Sequence, residues 1–175
     1  MAKIIYKDGC EGQNKLSCIE GIEIDLLNGQ KALIYPKYAN ARLLEDEDIE
    51  KWTEEEVTEI EALKKLDSNF ATGALLRIGS PAAKHVSQFS SNAHGIFGLP
   101  TLLAALEITY QKKDIDALAE TIEGADLLKD FSACVWSCSR CYSSYGWFAN
   151  GSSGFAGSYV LCGRYLAVPL VLYKA

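Results

Sequence analysis

Residues 131 to 173 read FSACVWSCSRCYSSYGWFANGSSGFAGSYVLCGRYLAVPLVLY, and this stretch decides how the rest of the chain is understood. It contains no Asp, Glu, Lys or Gln, and Ser, Tyr, Gly and Cys dominate it. Glycine recurs too often for a helix, and aromatic and β-branched residues come in short runs, which predicts a series of short strands and loops. The run Leu166-Ala167-Val168-Pro169-Leu170-Val171-Leu172-Tyr173 closes it and predicts a buried final strand.

Outward from this stretch the patterning changes. Ile115, Leu118, Ile122 and Leu127 recur at helical spacing, with Gly124 expected at or near the helix end. Leu102, Leu103, Leu106, Ile108 and Tyr110 predict another helix, capped by Thr101. Asn69 to Gly98 is rich in Ser, Gly and Ala and holds Pro81, His85 and His94, so loop or short helix is expected. Between Leu44 and Glu61 carboxylates crowd around Ile49, Trp52, Val57 and Ile60, and Thr53 with Glu56 fits a capping box. That predicts a helix with one apolar and one acidic face, the acids being a solvated surface rather than a metal site. Lys3 to Tyr6 and Ile22 to Tyr35 carry strand-forming residues punctuated by Asp8-Gly9 and Asn28-Gly29, and the second pair predicts a hairpin.

At 175 residues, with 49% of them hydrophobic, the chain can bury one sizeable core, and one domain over 1–175 is expected. A net charge of -6 without a basic stripe argues against nucleic acid as a partner, because phosphate neutralisation needs clustered Lys and Arg. The first residues hold no apolar stretch suited to a signal peptide, and no run reaches the roughly 18 apolar residues of a membrane span. A chain made in the cytoplasm and not inserted in a membrane is therefore expected, with Cys10, Cys18, Cys134, Cys138, Cys141 and Cys162 as free thiols.

Several motifs occur in a telling order: Gly98-Leu99-Pro100-Thr101, a helix, Val135-Trp136-Ser137-Cys138-Ser139-Arg140, Gly146-Trp147, a Gly-punctuated run, and Val168-Pro169-Leu170-Val171. In this order they resemble the formylglycine-generating-enzyme-like branch of the C-type lectin fold, and within it the variable proteins of diversity-generating retroelements. The likeness covers Ile96 to the C-terminus. Such proteins often carry Trp-Arg before Leu-Pro-Thr and Arg after the late Val, where this chain has Phe97-Gly98 and Val168-Pro169-Leu170.

The resemblance implies an α+β C-type lectin fold, with two or three helices packed on a small twisted antiparallel sheet and long loops on one side. It also implies a variable ligand-binding region over about 131–167, diversified at template adenines and displayed on a virus, phage or cell surface. Possible homo-oligomers are implied as well. Mutating the adenines of an Asn codon reaches Ser, Tyr, Gly, Cys, Arg, Phe, Ala, Val, Leu and others but never Lys, Glu, Gln, Met or Trp. Only Trp136 and Trp147 in the quoted stretch lie outside the reachable set, and both stand at motif positions.

A face of Tyr, Phe, Ser, Gly and Asn has the chemistry of an antibody paratope: large rigid contacts from Tyr, adaptable hydrogen bonds from Ser and Asn. The expected contacts are Tyr142, Ser143, Ser144, Tyr145, Phe148, Asn150, Ser152, Ser153, Phe155, Ser158, Tyr159 and Tyr165, with Trp136 and Trp147 packed beneath as supports. A protein ligand is expected, with a glycan-binding module or a degenerate enzyme-like domain as the alternative. No catalytic residue, metal or cofactor is assigned. Cys138-x-x-Cys141 has the spacing of zinc and redox pairs but lacks a matching second pair. Gly151-Ser152-Ser153-Gly154 lacks the nucleophile-elbow spacing and contains no phosphate-binding Lys. No acid follows Asp130, which disfavours a calcium site.

Overall fold

The computed structural model describes residues 2–45, 69–131, 134–142, 145–151, 155–160 and 163–174, and leaves the side chains of residues 69–71, 140–142 and 160 undescribed. The acidic helix expected near Trp52 lies outside the described residues. The architecture is α+β. Among the described residues, eleven strands form sheets of four, five and two strands, and there are four α-helices.

The four-stranded sheet has the order β1-β2-β3-β11, with the first and last described strands at its opposite edges: β1 (Lys3–Tyr6), β2 (Ile19–Asp25), β3 (Gln30–Ile34) and β11 (Leu170–Lys174). All three pairings are antiparallel. The Asn28-Gly29 hairpin forms as expected: Gly29 takes φ 84°, and Asn28 Oδ1 accepts from the Gln30 N–H at 3.1 Å. The pairing of β1 with β2 slips between Ile5 and Tyr6, which face Gly21 and Ile19, so Glu20 is an extra residue. Its buried carboxylate accepts from the Asn92 N–H at 2.9 Å, an arrangement that satisfies a group otherwise costly to bury.

One face of this sheet presents Ile22, Ile24, Ala32, Ile34, Leu170 and Leu172 to α3 (Leu102–Tyr110) and α4 (Lys112–Ala119), which contribute Ala104, Ala105, Ile108, Ile115 and Ala119. Thr101 caps α3 as expected, its Oγ1 accepting from the Ala104 N–H at 3.2 Å. The helix predicted through Leu127 instead ends at Ala119, and Gly124 lies in a later turn with φ 88°. Asp116 explains how that turn is held. Its buried carboxylate accepts from the N–H groups of Leu128 at 2.7 Å and Lys129 at 3.0 Å. Asp116→Ala is expected to destabilise the protein by about 2–3 kcal/mol, because it strands a buried N–H. A urea unfolding midpoint that stays put would contradict this.

The five-stranded sheet has the order β4-β10-β7-β8-β9: β4 (Ala39–Arg42), β7 (Val135–Tyr142), β8 (Tyr145–Ala149), β9 (Ala156–Val160) and β10 (Arg164–Ala167). It is mixed, since β10 runs parallel to β7. The expectation of one small antiparallel sheet with two or three helices is thus corrected to two larger sheets and four described helices. The apolar run from Leu166 to Tyr173 is likewise not one strand. At Val168-Pro169 the chain leaves β10 of one sheet and enters β11 of the other. The stretch from Asn69 to Gly98 supplies two helices, α1 (Asn69–Arg77) and α2 (Pro81–Ser87), and a two-stranded ribbon of β5 (Ser90–Ser91) and β6 (Gly95–Ile96). Ser80 and Pro81 start α2 together, the Ser80 hydroxyl accepting from the Ala83 N–H at 3.1 Å.

The motif segments meet in the middle of the fold. Gly98 exchanges two backbone hydrogen bonds with Leu170, at 2.8 and 2.9 Å, and the Cys138 N–H reaches Pro100 O at 2.8 Å. The Leu99 N–H donates to Thr72 Oγ1 at 2.8 Å, tying α1 to the same point.

Candidate aromatic binding face

Strand parity sorts the residues of the quoted stretch. In β8, Phe148 and Gly146 face one way, and Tyr145, Trp147 and Ala149 face the other. Trp136 stands opposite Phe148 in β7, Gly157 opposite Phe148 in β9, and Tyr159 opposite Gly146, so all of these share the first face. Tyr165 joins them from β10. The result is a box of four rings: centroids of Phe148 and Tyr165 lie 4.4 Å apart, Tyr159 and Tyr165 4.5 Å, Trp136 and Tyr165 5.4 Å, and Trp136 and Tyr159 6.2 Å. Ring pairs at these separations attract beyond the area they bury.

The box has a floor and a rim. Trp136 is fully buried as expected, and its indole N–H donates to Ala41 O at 2.9 Å. The two packing neighbours below are helical: Leu75 from α1 and Ala82, Ala83 and Val86 from α2 belong to the same apolar cluster. Tyr159 and Tyr165 are half-buried and form the rim. Two glycines explain how the rings lie down. A Cβ on Gly157 would stand 3.0 Å from the Phe148 ring, and one on Gly163 only 2.1 Å from the Tyr159 ring. These glycines provide space for aromatic cover rather than unusual dihedrals, which gives the Gly-punctuated composition a packing reason.

The expected contact residues are divided by this geometry. Phe148, expected at the surface, is only 7% exposed and belongs to the floor. Trp147, expected beneath the face, is half-buried on the opposite side of the sheet, paired with exposed Ser158. Tyr145 shares that opposite side and is half-buried. Phe155 is 72% exposed just before β9, where the Asn150 N–H donates to Phe155 O at 2.8 Å, and Lys112 Nζ donates to Gly151 O at 2.8 Å. Tyr142 lies in β7 with its side chain undescribed, and Ser143, Ser144, Ser152 and Ser153 lie outside the described residues.

Beneath the rim, β7 carries a bulge, since Trp136 and Arg140 oppose Phe148 and Gly146. Ser137 fills the interrupted ladder: its hydroxyl donates to Trp147 O at 2.9 Å and accepts from the Ser139 N–H at 3.1 Å. Sequence reasoning did not single out Ser137, which lies between Trp136 and Cys138 with no local signal to mark it. Burial, then the nearby Cys134 and Tyr159, raises the Tyr165 phenol above its ordinary value, so it stays neutral and able to donate or accept.

Elsewhere, a concavity of about 510 Å³ lies between α4 and the turn after it, lined by Lys112, Lys113, Asp116, Ala117, Glu120, Lys129 and Phe131. Its charges are already engaged in part, Lys129 with Glu120 at 2.6 Å and Asp116 with two backbone N–H groups. Among the described residues, no group of three or more His, Cys, Asp or Glu is placed to hold a metal ion, and no helix is long and apolar enough to cross a membrane. Cys10, Cys18, Cys134 and Cys138 are free thiols. No protein-family model, curated protein or solved structure matches the chain.

Proposed function

We propose that this chain is a ligand-binding display protein of the C-type lectin fold, diversified in its C-terminal region by a retroelement, and that it binds a protein ligand rather than catalysing a reaction. The observation that carries the reading is the aromatic box. Two half-buried tyrosines stand 4.5 Å apart on a floor of buried Trp136 and Phe148. Rings held this way lose little freedom on binding, so contact area converts efficiently into affinity.

The Tyr159 and Tyr165 rings are tilted by 34° to one another. That tilt favours an irregular protein surface over the flat face of a sugar ring, which coplanar aromatics would suit better. Fixed residues (Trp136, Phe148, Gly157, Gly163) beneath and changeable ones around them is the division of labour such a protein needs: the floor keeps the fold while the rim changes partner. The exposed Phe155 has the strand parity of Gly157 and Tyr159 and is open to the same selection, whereas Ser158 lies on the other side of the sheet.

Two outcomes follow. Tyr159→Ala is expected to weaken binding of a selected protein ligand by about 30-fold or more, the scale of a hot-spot aromatic, as read by calorimetric titration. For diversification, the surrounding DNA should contain a near-identical repeat of the coding region for 131–167 that differs at adenines. A locus without such a repeat would contradict diversification and leave a conventional binding module.

A further inference from the structure

The loop between β1 and β2 holds two cysteines that the binding face does not use. Four hydrogen bonds draw them together. The Lys7 N–H donates to Cys18 O at 3.0 Å and the Cys10 N–H donates to Lys7 O at 3.0 Å, so both cysteines are joined to one residue. The Gln13 N–H donates to Cys10 O at 2.9 Å, and the Cys18 thiol donates to Gln13 Oε1 at 3.5 Å, so both are joined to a second residue as well. Cys18 is buried and Cys10 is half-buried, which leaves one sulfur within reach of a reagent and the other sheltered behind it.

The same loop is latched to the turn after α4. Asn14 O accepts from the Glu123 N–H at 2.9 Å, Glu123 O accepts from the Leu16 N–H at 3.3 Å, and Asn14 Nδ2 donates to Thr121 Oγ1 at 2.9 Å. The Tyr6 hydroxyl donates to Asn14 Oδ1. Leu16 also packs against Gly124, where a Cβ would stand 3.2 Å from its Cδ1. A cross-link between residues 10 and 18 would therefore close the loop that carries the whole latch.

We propose that Cys10 and Cys18 form a dithiol that a small-molecule disulfide of the oxidised-glutathione class converts to an intramolecular disulfide, locking the N-terminal loop onto the turn after α4. The Cys10 thiolate attacks one sulfur of the reagent and releases the first small thiolate. The Cys18 thiolate then attacks Cys10 Sγ in the mixed disulfide and releases the second. Both protein thiols give up their protons to solvent, the protein loses two electrons, and the reagent gains them as two small thiols. Contact with the Cys18 thiol, followed by loss of hydration, raises the Cys10 thiol above its ordinary value. Exchange therefore accelerates as pH rises, because the thiolate is the attacking form.

Trypsin separates the two cysteines, cutting after Lys7, Lys15 and Lys31. The full chain is incubated in a glutathione redox buffer, its remaining thiols are alkylated, and the protein is denatured, digested and mapped by mass spectrometry. The expected result is that peptides 8–15 and 16–31 travel as one cross-linked species that separates on reduction. Oxidation should also raise Tm by about 5–10 °C for a closed loop of this length in a chain of this size, and the rise should be absent in Cys10→Ser. Recovery of the two peptides unlinked, as glutathione adducts, or paired with other cysteines would overturn the proposal. A cross-link that leaves Tm unchanged would overturn the latch.

Discussion

Trp136→Ala is expected to remove about 3–5 kcal/mol of stability, the range for emptying a buried indole site, and to leave much of the protein unfolded at room temperature if its reserve is ordinary. Three losses coincide at this residue. The fully buried indole fills the space between the five-stranded sheet and helices α1 and α2. Its N–H satisfies Ala41 O on the edge strand β4, and its ring supports both Tyr159 and Tyr165. The surrounding side chains Leu75, Ala83 and Leu99 are themselves fully buried, which limits collapse into the cavity. Trp136→Phe retains most of the volume and is expected to cost about half as much. Urea unfolding followed by far-ultraviolet circular dichroism measures both, and a cost below about 1 kcal/mol for Trp136→Ala would contradict the floor assigned to it.

Gly21→Ala should cost about 3 kcal/mol or more, for a different reason: it strikes backbone rather than cavity. At φ 154°, a Cβ on Gly21 would stand 2.6 Å from Ile34 O and 2.9 Å from Leu33 Cγ. A side-chain end could swing aside, but Ile34 O belongs to β3, the strand paired with β2 at the centre of the four-stranded sheet. Relief therefore means parting two central strands. Gly12→Ala provides the contrast, since Gly12 has φ 80° with nothing within 4 Å of an added Cβ, and only the dihedral penalty of about 1–2 kcal/mol remains. Equal unfolding midpoints for the two variants would show that the close approach to Ile34 O carries no cost.

Much of the scaffold was legible because its signals are local. Asn28-Gly29 specifies a hairpin and Thr101 a helix start through contacts within three residues, so no tertiary knowledge is needed. Ser80-Pro81 carries the same kind of signal for α2. What could not be read is register. Trp147 and Phe148 are adjacent aromatics that must face opposite ways, and which of them turns inward depends on the pairing of β7 with β8 and on the bulge at Ser137–Ser139. The choice falls on Phe148 because it stands opposite Trp136 and Gly157, a large ring and a vacated position. The switch of sheets at Val168-Pro169 is invisible for a similar reason: strands of both sheets are buried there, so the apolar pattern continues unbroken while the partner changes. Gly157 and Gly163 were the readable clue to the box, small residues placed where neighbouring rings need room.

The central claim is that the half-buried tyrosines form a binding rim on a rigid floor. Its most direct test is a parallel screen of the parent chain and a Tyr159→Ser, Tyr165→Ser variant against protein and glycan arrays, with circular dichroism on both. The account predicts that the variant keeps the parent's spectrum and loses a protein ligand that the parent binds. A folded variant that binds the same protein equally well, or a parent that binds glycans alone, would contradict it.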